Sequence, residues 1–266
     1  VQCPCILLQL IATGKPLSTA GMMIEDRTRT YTIAMERTVV PENFSFRMTD
    51  EEYRVLEKIK NSIPVCYLAD HADFALGIVT GNNKKFLSAE KTENSEMVLK
   101  GTDICKYHIN PVKQYLRFEP EQFQQVAPLE IYRAPEKLLY RFISNQLVVA
   151  YDDRQMLSLN SCNIVIPKID GMQIKYILAI LNSSVSQFVY QKEFHSIKVL
   201  RAHMEHIPIP RVGKAIQNEI IAMTEPLICG MGKEAAETCQ KRLDCRIMDL
   251  FRLSAEEQWI IRHALH

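Results

Sequence analysis

The chain has 266 residues, 47% of them hydrophobic and 24% charged, with a formal net charge of +1. That composition belongs to a folded globular protein and excludes a chain disordered over most of its length. No run reaches the roughly 18 uninterrupted apolar residues of a membrane span, so no membrane partner is expected.

The chain opens on Val1 inside an apolar run, which reads as a piece of a longer protein. Residues 5–11 read as a buried strand and Gly14-Lys-Pro16 as a turn. Residues 22–24 and 30–35 read as a hairpin around the polar turn Glu25-Asp-Arg27. Pro41-Glu-Asn43 is a break. Thr49, with Glu52 three residues on, forms a capping-box pattern. Tyr53, Leu56 and Ile59 at helical spacing then predict a short amphipathic helix over 50–60, ended by Pro64.

The stretch Gly77-Ile-Val-Thr-Gly-Asn-Asn-Lys-Lys-Phe86 organises its surroundings. The chain has only 9 glycines, so two of them four apart in a strand-like context need a reason. Thr80, Asn82 and Asn83 suit a turn, and Lys84 and Lys85 add two cations. The pattern reads as a strand breaking into a polar turn able to face a phosphate or a base edge, or as an ordinary hairpin loop. Lys100-Gly-Thr-Asp-Ile104 is a second glycine turn, predicted to enter a strand over 105–109.

Residues 111–120 read as irregular or extended. Residues 138–143 and 146–151 are strand candidates, and 157–166 a strand broken at Asn160 and Asn163. A helix over 174–181 stops at Asn182-Ser-Ser184, and a second spans 185–194. Residues 195–201 are a short basic strand or loop. Ile207-Pro-Ile-Pro210 is extended. Beyond it, 215–227, 234–251 and 255–265 carry helical periodicity, the last capped by Ser254 with Glu257 in the capping-box position.

Charge is unevenly placed. Residues 131–214 hold 11 Lys/Arg against 6 Asp/Glu, while both flanking regions are net acidic. A local basic excess is the footprint expected for a polyanion partner, or a solvated charged face. The eight cysteines are scattered without a disulfide-like spacing, which predicts a reducing, cytoplasmic setting. Cys105-x-x-His108 and His203-x-x-His206 could meet at a zinc ion, but nothing in the spacing requires it, and no metal site is assigned.

Catalytic patterns are missing. There is no phosphate-binding Gly-x-x-x-x-Gly-Lys-Ser/Thr, no Gly-x-Gly-x-x-Gly after a strand, no Gly-x-Ser-x-Gly and no His-Glu-x-x-His. Asn110-Pro111 is followed by Val112, so the Asp/Asn-Pro-Pro-Tyr of adenine methyltransferases is absent too. The chain is expected to contain no catalytic residue and alone to neither methylate nor cleave DNA.

Several pieces together resemble the TaqI-like C-terminal specificity domain. That family is the target-recognition part of adenine-specific DNA methyltransferases and type IIG restriction–modification enzymes. The pieces are the Gly77–Phe86 stretch, Lys100-Gly-Thr-Asp-Ile104, Pro135-Glu-Lys137, Ala150-Tyr-Asp152, Ile177-Leu-Ala-Ile-Leu-Asn-Ser183 and Ile207-Pro-Ile-Pro210, spanning residues 62–212. The tail from Leu243 to Glu257 resembles the helical end of the same proteins.

The resemblance implies an α/β (α+β) fold, with a mixed-sheet target-recognition domain at 61–212 and a helical segment at 213–266. Residues 1–60 would be edge strands of a preceding methyltransferase domain plus a linker helix. It implies double-stranded DNA as partner, held against that methyltransferase domain, with S-adenosylmethionine bound there and no cofactor here. The DNA-contact residues it suggests are Thr80, Gly81, Asn82, Asn83, Lys84, Lys85, Lys100, Arg154, Asn182, Ser183, Ser196, Lys198 and Arg201. For Asn182 and Ser183 a helix-kinking, packing role is an equal alternative. Two other readings stay open: an assembly module built on the helical tail, and a degenerate enzyme fragment with residual cofactor binding.

Overall fold

The computed structural model describes residues 19–25, 29–37, 47–194 and 196–265. The chain divides into two units, Val1–Asp50 and Glu51–His266. The strand expected at 5–11, the turn at 14–16, the break at 41–43 and His195 lie outside the described residues.

In the first unit, β1 (Met22–Glu25) and β2 (Thr30–Ile33) form the expected hairpin, with Met22 opposite Ile33. The buried Arg37 guanidinium donates to Asp50 Oδ1 at 2.8 Å, and the other carboxylate oxygen accepts the Ala34 and Met35 N–H groups.

The second unit starts with α1 (Asp50–Asn61), β3 (Val65–Cys66) and β4 (Ala72–Ala75). It continues with α2 (Asn83–Phe86), β5 (Leu87–Ser88), β6 (Ser95–Leu99), β7 (Tyr115–Arg117) and α3 (Leu129–Tyr132). Next come β8 (Lys137–Arg141), β9 (Val149–Asp152), β10 (Leu157–Ser158) and β11 (Cys162–Pro167). The helices α4 (Ile174–Asn182), α5 (Ser184–Glu193) and α6 (Arg201–Glu205) come after them, then β12 (Ile209–Pro210). Three helices close the unit: α7 (Lys214–Cys229), α8 (Lys233–Leu250) and α9 (Ala255–Ala264). The fold is mixed α/β, and no strand occurs beyond Pro210 among the described residues.

Two four-stranded sheets form the body, in the orders β10-β6-β7-β5 and β4-β11-β8-β9. The second is antiparallel throughout, with Leu139 opposite both Ile164 and Ala150. Those three side chains share one face and join Ile78, Phe86, Val98, Leu99, Leu116 and Leu157 in one apolar core. The sheet is also covered by α4, which packs on β8, β9 and β11. Burial of both faces explains why Lys137–Tyr140 is enclosed without alternation. Every α4 residue from Tyr176 to Asn182 is buried, and each large aliphatic side chain among them contributes about 1.5–3 kcal/mol.

From Glu51 onward α1 belongs to the second unit. Lys192 pairs with Glu52 at 2.8 Å and Lys58 with Glu257 at 2.6 Å. Residues 213–266 do not stand apart either: α7 packs on α4, and α8 and α9 on α5.

Local expectations also change. Residues 105–109 are not a strand, because Tyr107 takes φ +77°, which extended backbone does not allow. It still bridges β9, donating to Val149 O at 2.7 Å and accepting from Tyr151 N at 3.1 Å. Residues 95–99 and 115–117 form β6 and β7, and residues 201–205 a short helix. Among the described residues the cysteines are free, no group of His, Cys, Asp or Glu is placed to hold a metal, and no helix is long and apolar enough to cross a membrane.

Candidate nucleic-acid interface

The two glycine turns converge on the turn between β10 and β11. Gly77 donates to Asn163 Oδ1 at 3.2 Å, Ile78 donates to Ser158 O, and Asn160 donates to Ile78 O. A Cβ on Gly77 would lie 2.1 Å from the Leu159 carbonyl oxygen, so close backbone approach is the reason for this glycine. Gly101 meets the same turn: its N–H donates to Ser161 Oγ at 3.0 Å, and a Cβ there would lie 2.4 Å from Ser161 O. Phe142 N also donates to Ser161 O at 3.0 Å. The chain after β8 then runs beside residues 197–199. Ser144 N donates to Ile197 O, Val199 N donates to Phe142 O, and Ile143 bridges Lys198. The Gly77 stretch, the Lys100 turn, residues 142–144 and residues 196–201 therefore meet at one end of the central sheet.

Within the Gly77 stretch the polar turn is a short helix, not a hairpin loop. Gly81 takes φ +76°, and Asn82 caps α2 by accepting from Lys85 N at 3.2 Å. Thr80 is buried and donates to Asn83 Oδ1 at 2.6 Å. Lys85 donates to Gln122 Oε1 at 2.6 Å and lies over the Phe86 ring. Lys84 is exposed, with no ion pair among the described residues. Thr80 is therefore withdrawn from solvent, and Asn82 and Asn83 hold the turn's shape, while Lys84 projects freely.

Three of the expected contact residues fall elsewhere. Arg154 is exposed, but it follows β9 at the far end of the sheet, beside Lys137 rather than Arg141. Asn182 is buried and behaves like a piece of strand. Its Nδ2 donates to Val149 O at 2.8 Å and its Oδ1 accepts from Val149 N at 3.1 Å. Ser183 is buried as the N-cap of α5, accepting from Ser186 N at 3.2 Å. Both side chains are buried and taken up by these backbone contacts. Asn182→Ala is expected to cost about 1–3 kcal/mol in denaturant unfolding, because it orphans the Val149 N–H and C=O. It should leave duplex binding by the folded fraction unchanged.

The basic excess of residues 131–214 is mostly neutralised in place. Arg133 pairs with Glu96, Lys137 with Asp152, Lys168 with Asp73, Lys175 with Glu225 and Lys192 with Glu52. Arg141 donates to the Gly101 and Ile104 carbonyls. Lys198 stays exposed over the Phe142 ring, and Arg201, its side chain 60% exposed, lies over Phe74 while pairing with Glu205. Ser196 accepts from Lys198 N and so shapes the loop. The sequence reading missed the apolar side chains among these cations: Ile143, Ile197 and Leu200 are all exposed. Ile143 ends an apolar run and Ile197 and Leu200 sit in a short basic segment, and no local signal separates them from core residues.

Residues 96–209 match the model of the TaqI-like C-terminal specificity domain. This segment is similar to the TaqI-like specificity domain, over less than half of the chain. It runs from β6 to β12, so the resemblance read over 62–212 holds for most of that range, and the Gly77 stretch lies outside the match. The structure is similar to three solved restriction–modification proteins. The type IIL enzyme MmeI, solved in complex with DNA, is 12% identical over 75% of this chain and 35% of that one, with a TM-score of 0.49. The type IIG restriction endonuclease BpuSI is 13% identical over 82% and 32%, with a TM-score of 0.47. The HsdS subunit from Thermoanaerobacter tengcongensis is 15% identical over 81% and 50%, with a TM-score of 0.41. The chain thus spans a third to a half of those proteins. No curated protein sequence matches it.

Proposed function

We propose that this chain recognises a DNA target for a restriction–modification enzyme. The observation that carries the reading is a coincidence of place. The matched segment supplies the Lys100 turn, residues 142–144, Lys198 and Arg201, and these meet at one exposed end of the fold. Exposed cations there can take backbone phosphates, and polar or apolar neighbours can read base edges. The finer reading is that the parent enzyme methylates the exocyclic amine of an adenine flipped from the duplex. Its S-adenosylmethionine site and reacting groups would then sit in a methyltransferase domain outside these residues, and its setting would be the bacterial cytoplasm.

Fluorescence anisotropy of the chain against random-sequence duplex tests the coarse reading. Dissociation constants of about 10⁻⁴–10⁻⁶ M are expected, with a linear fall of log affinity against log salt. Lys84→Ala should flatten that slope by about one unit without sequence preference. Absence of binding at roughly 50 mM salt would remove DNA recognition as the function.

A further inference from the structure

The exposed apolar side chains at the sheet end are not scattered. Ile143 and Ile197 are 63% and 66% exposed, Leu200 is 42% exposed, and they sit on two segments bridged through Ile143 and Lys198. These segments are held from beneath. The buried Tyr190 hydroxyl lies 3.0 Å from Ser196 O and also reaches the Ser144 and Lys198 carbonyls. His203 Nδ1 accepts the Leu200 N–H, and the His203 ring stacks on Phe194. The result is a braced ridge in which Ile143 stands opposite Lys198, with Ile197, Leu200 and Arg201 on the adjoining residues. An exposed apolar cluster marks an interaction surface, and flanking cations select an anionic partner.

We propose that this ridge enters a groove of duplex DNA, where Ile143 and Ile197 contact base edges and Lys198 and Arg201 take the phosphates on either side. The inference rests on the DNA-recognition reading and adds the residues that read sequence. Duplex DNA fits both halves of the chemistry. Its phosphates meet the cations, and its major groove offers one apolar group, the thymine C5-methyl, that distinguishes base pairs to an aliphatic side chain. The ridge therefore favours a T·A pair at the position it touches, and it assigns that preference to two isoleucines rather than to the asparagines of the Gly77 stretch.

The experiment is selection from a random duplex pool by the full 266-residue chain, with Ile143→Ser/Ile197→Ser and Lys198→Ala measured beside it. Circular dichroism melts are run in parallel; both isoleucines are exposed, so the melts should coincide. The parent chain should enrich a T·A pair. The double serine variant should lose that preference, roughly tenfold in relative affinity per contacted pair, with its salt slope intact. Lys198→Ala should keep the preference and lose about one unit of slope. Substituting uracil for thymine in the selected duplex should reproduce the serine phenotype. If the parent chain binds and selects but the serine variant selects the same sequence equally well, the ridge is not the reader and DNA recognition survives. If the parent chain does not bind duplex, both fall. Self-association abolished by the serine variant, without DNA binding, would identify a second copy as the occupant and overturn the proposal.

Discussion

Gly77→Ala is expected to lower the unfolding free energy by about 3 kcal/mol or more, at the upper end of what overpacking costs. The new methyl would stand 2.1 Å from the Leu159 oxygen, 2.4 Å from its carbonyl carbon and 2.7 Å from the Cys162 oxygen. All three are backbone atoms of a turn tied into both sheets, so none can swing aside as a side-chain end would. Gly101→Ala, facing Ser161 O at 2.4 Å, should behave similarly. Gly81→Ala supplies the contrast. There the nearest atom is a Gln124 side-chain carbon at 3.4 Å, and the cost is the positive φ alone, about 1–2 kcal/mol. Urea midpoints of the three variants decide the matter. A Gly77 variant no less stable than the Gly81 variant would mean the turn can relax, and close approach is not why glycine is there.

Lys137→Met should cost about 3–5 kcal/mol, the penalty for leaving one partner of a buried ion pair uncompensated. Lys137 and Asp152 are both fully buried, with Nζ and Oδ2 2.5 Å apart. Burial pulls the lysine ammonium below its ordinary pKa, and Asp152 opposes that pull. The lysine also donates to Tyr132 O, while the aspartate accepts from Arg154 N and Met156 N at 2.9 Å each. The pair therefore fixes α3, β8 and the turn that carries Arg154. Asp152→Asn should cost a similar amount, since it strands the ammonium. An unfolding midpoint within error of the parent for both variants would show that water or a shifted proton already relieves the pair.

Much of the helical fold was legible because helices announce themselves locally. The apolar spacing of α4, α7, α8 and α9 and the Ser254–Glu257 cap are contained in each segment, and the stop at Asn182-Ser183 is the junction between α4 and α5. The strands β8 and β9 were legible as apolar runs. By contrast, β6 and β7 are short, and they are strands only because each pairs with the other and with β10 or β5. The site was legible in part for the same reason. The glycine at 77 flagged itself as needing an explanation, but the explanation is Leu159, which no local pattern connects to it. Asn182 offered a polar side chain on an apolar helix, and only the position of β9 shows what it pairs with. Ile143 and Ile197 look like core residues in sequence, and their exposure follows from tertiary structure alone.

The pairing of β3 with β12 bears on the order in which the unit assembles. Cys66 Sγ donates to Ile209 O across 143 residues of chain, and the Lys58–Glu257 pair spans 199. Closing loops of that length loses chain entropy before any contact repays it, and such non-local pairings slow folding. The local helical hairpins can form early, but this clasp needs nearly the whole unit in place before its ends can meet. It is the last part to close and, being only two residues wide, among the first to open. The native lifetime of the unit is then governed by a contact only two residues wide.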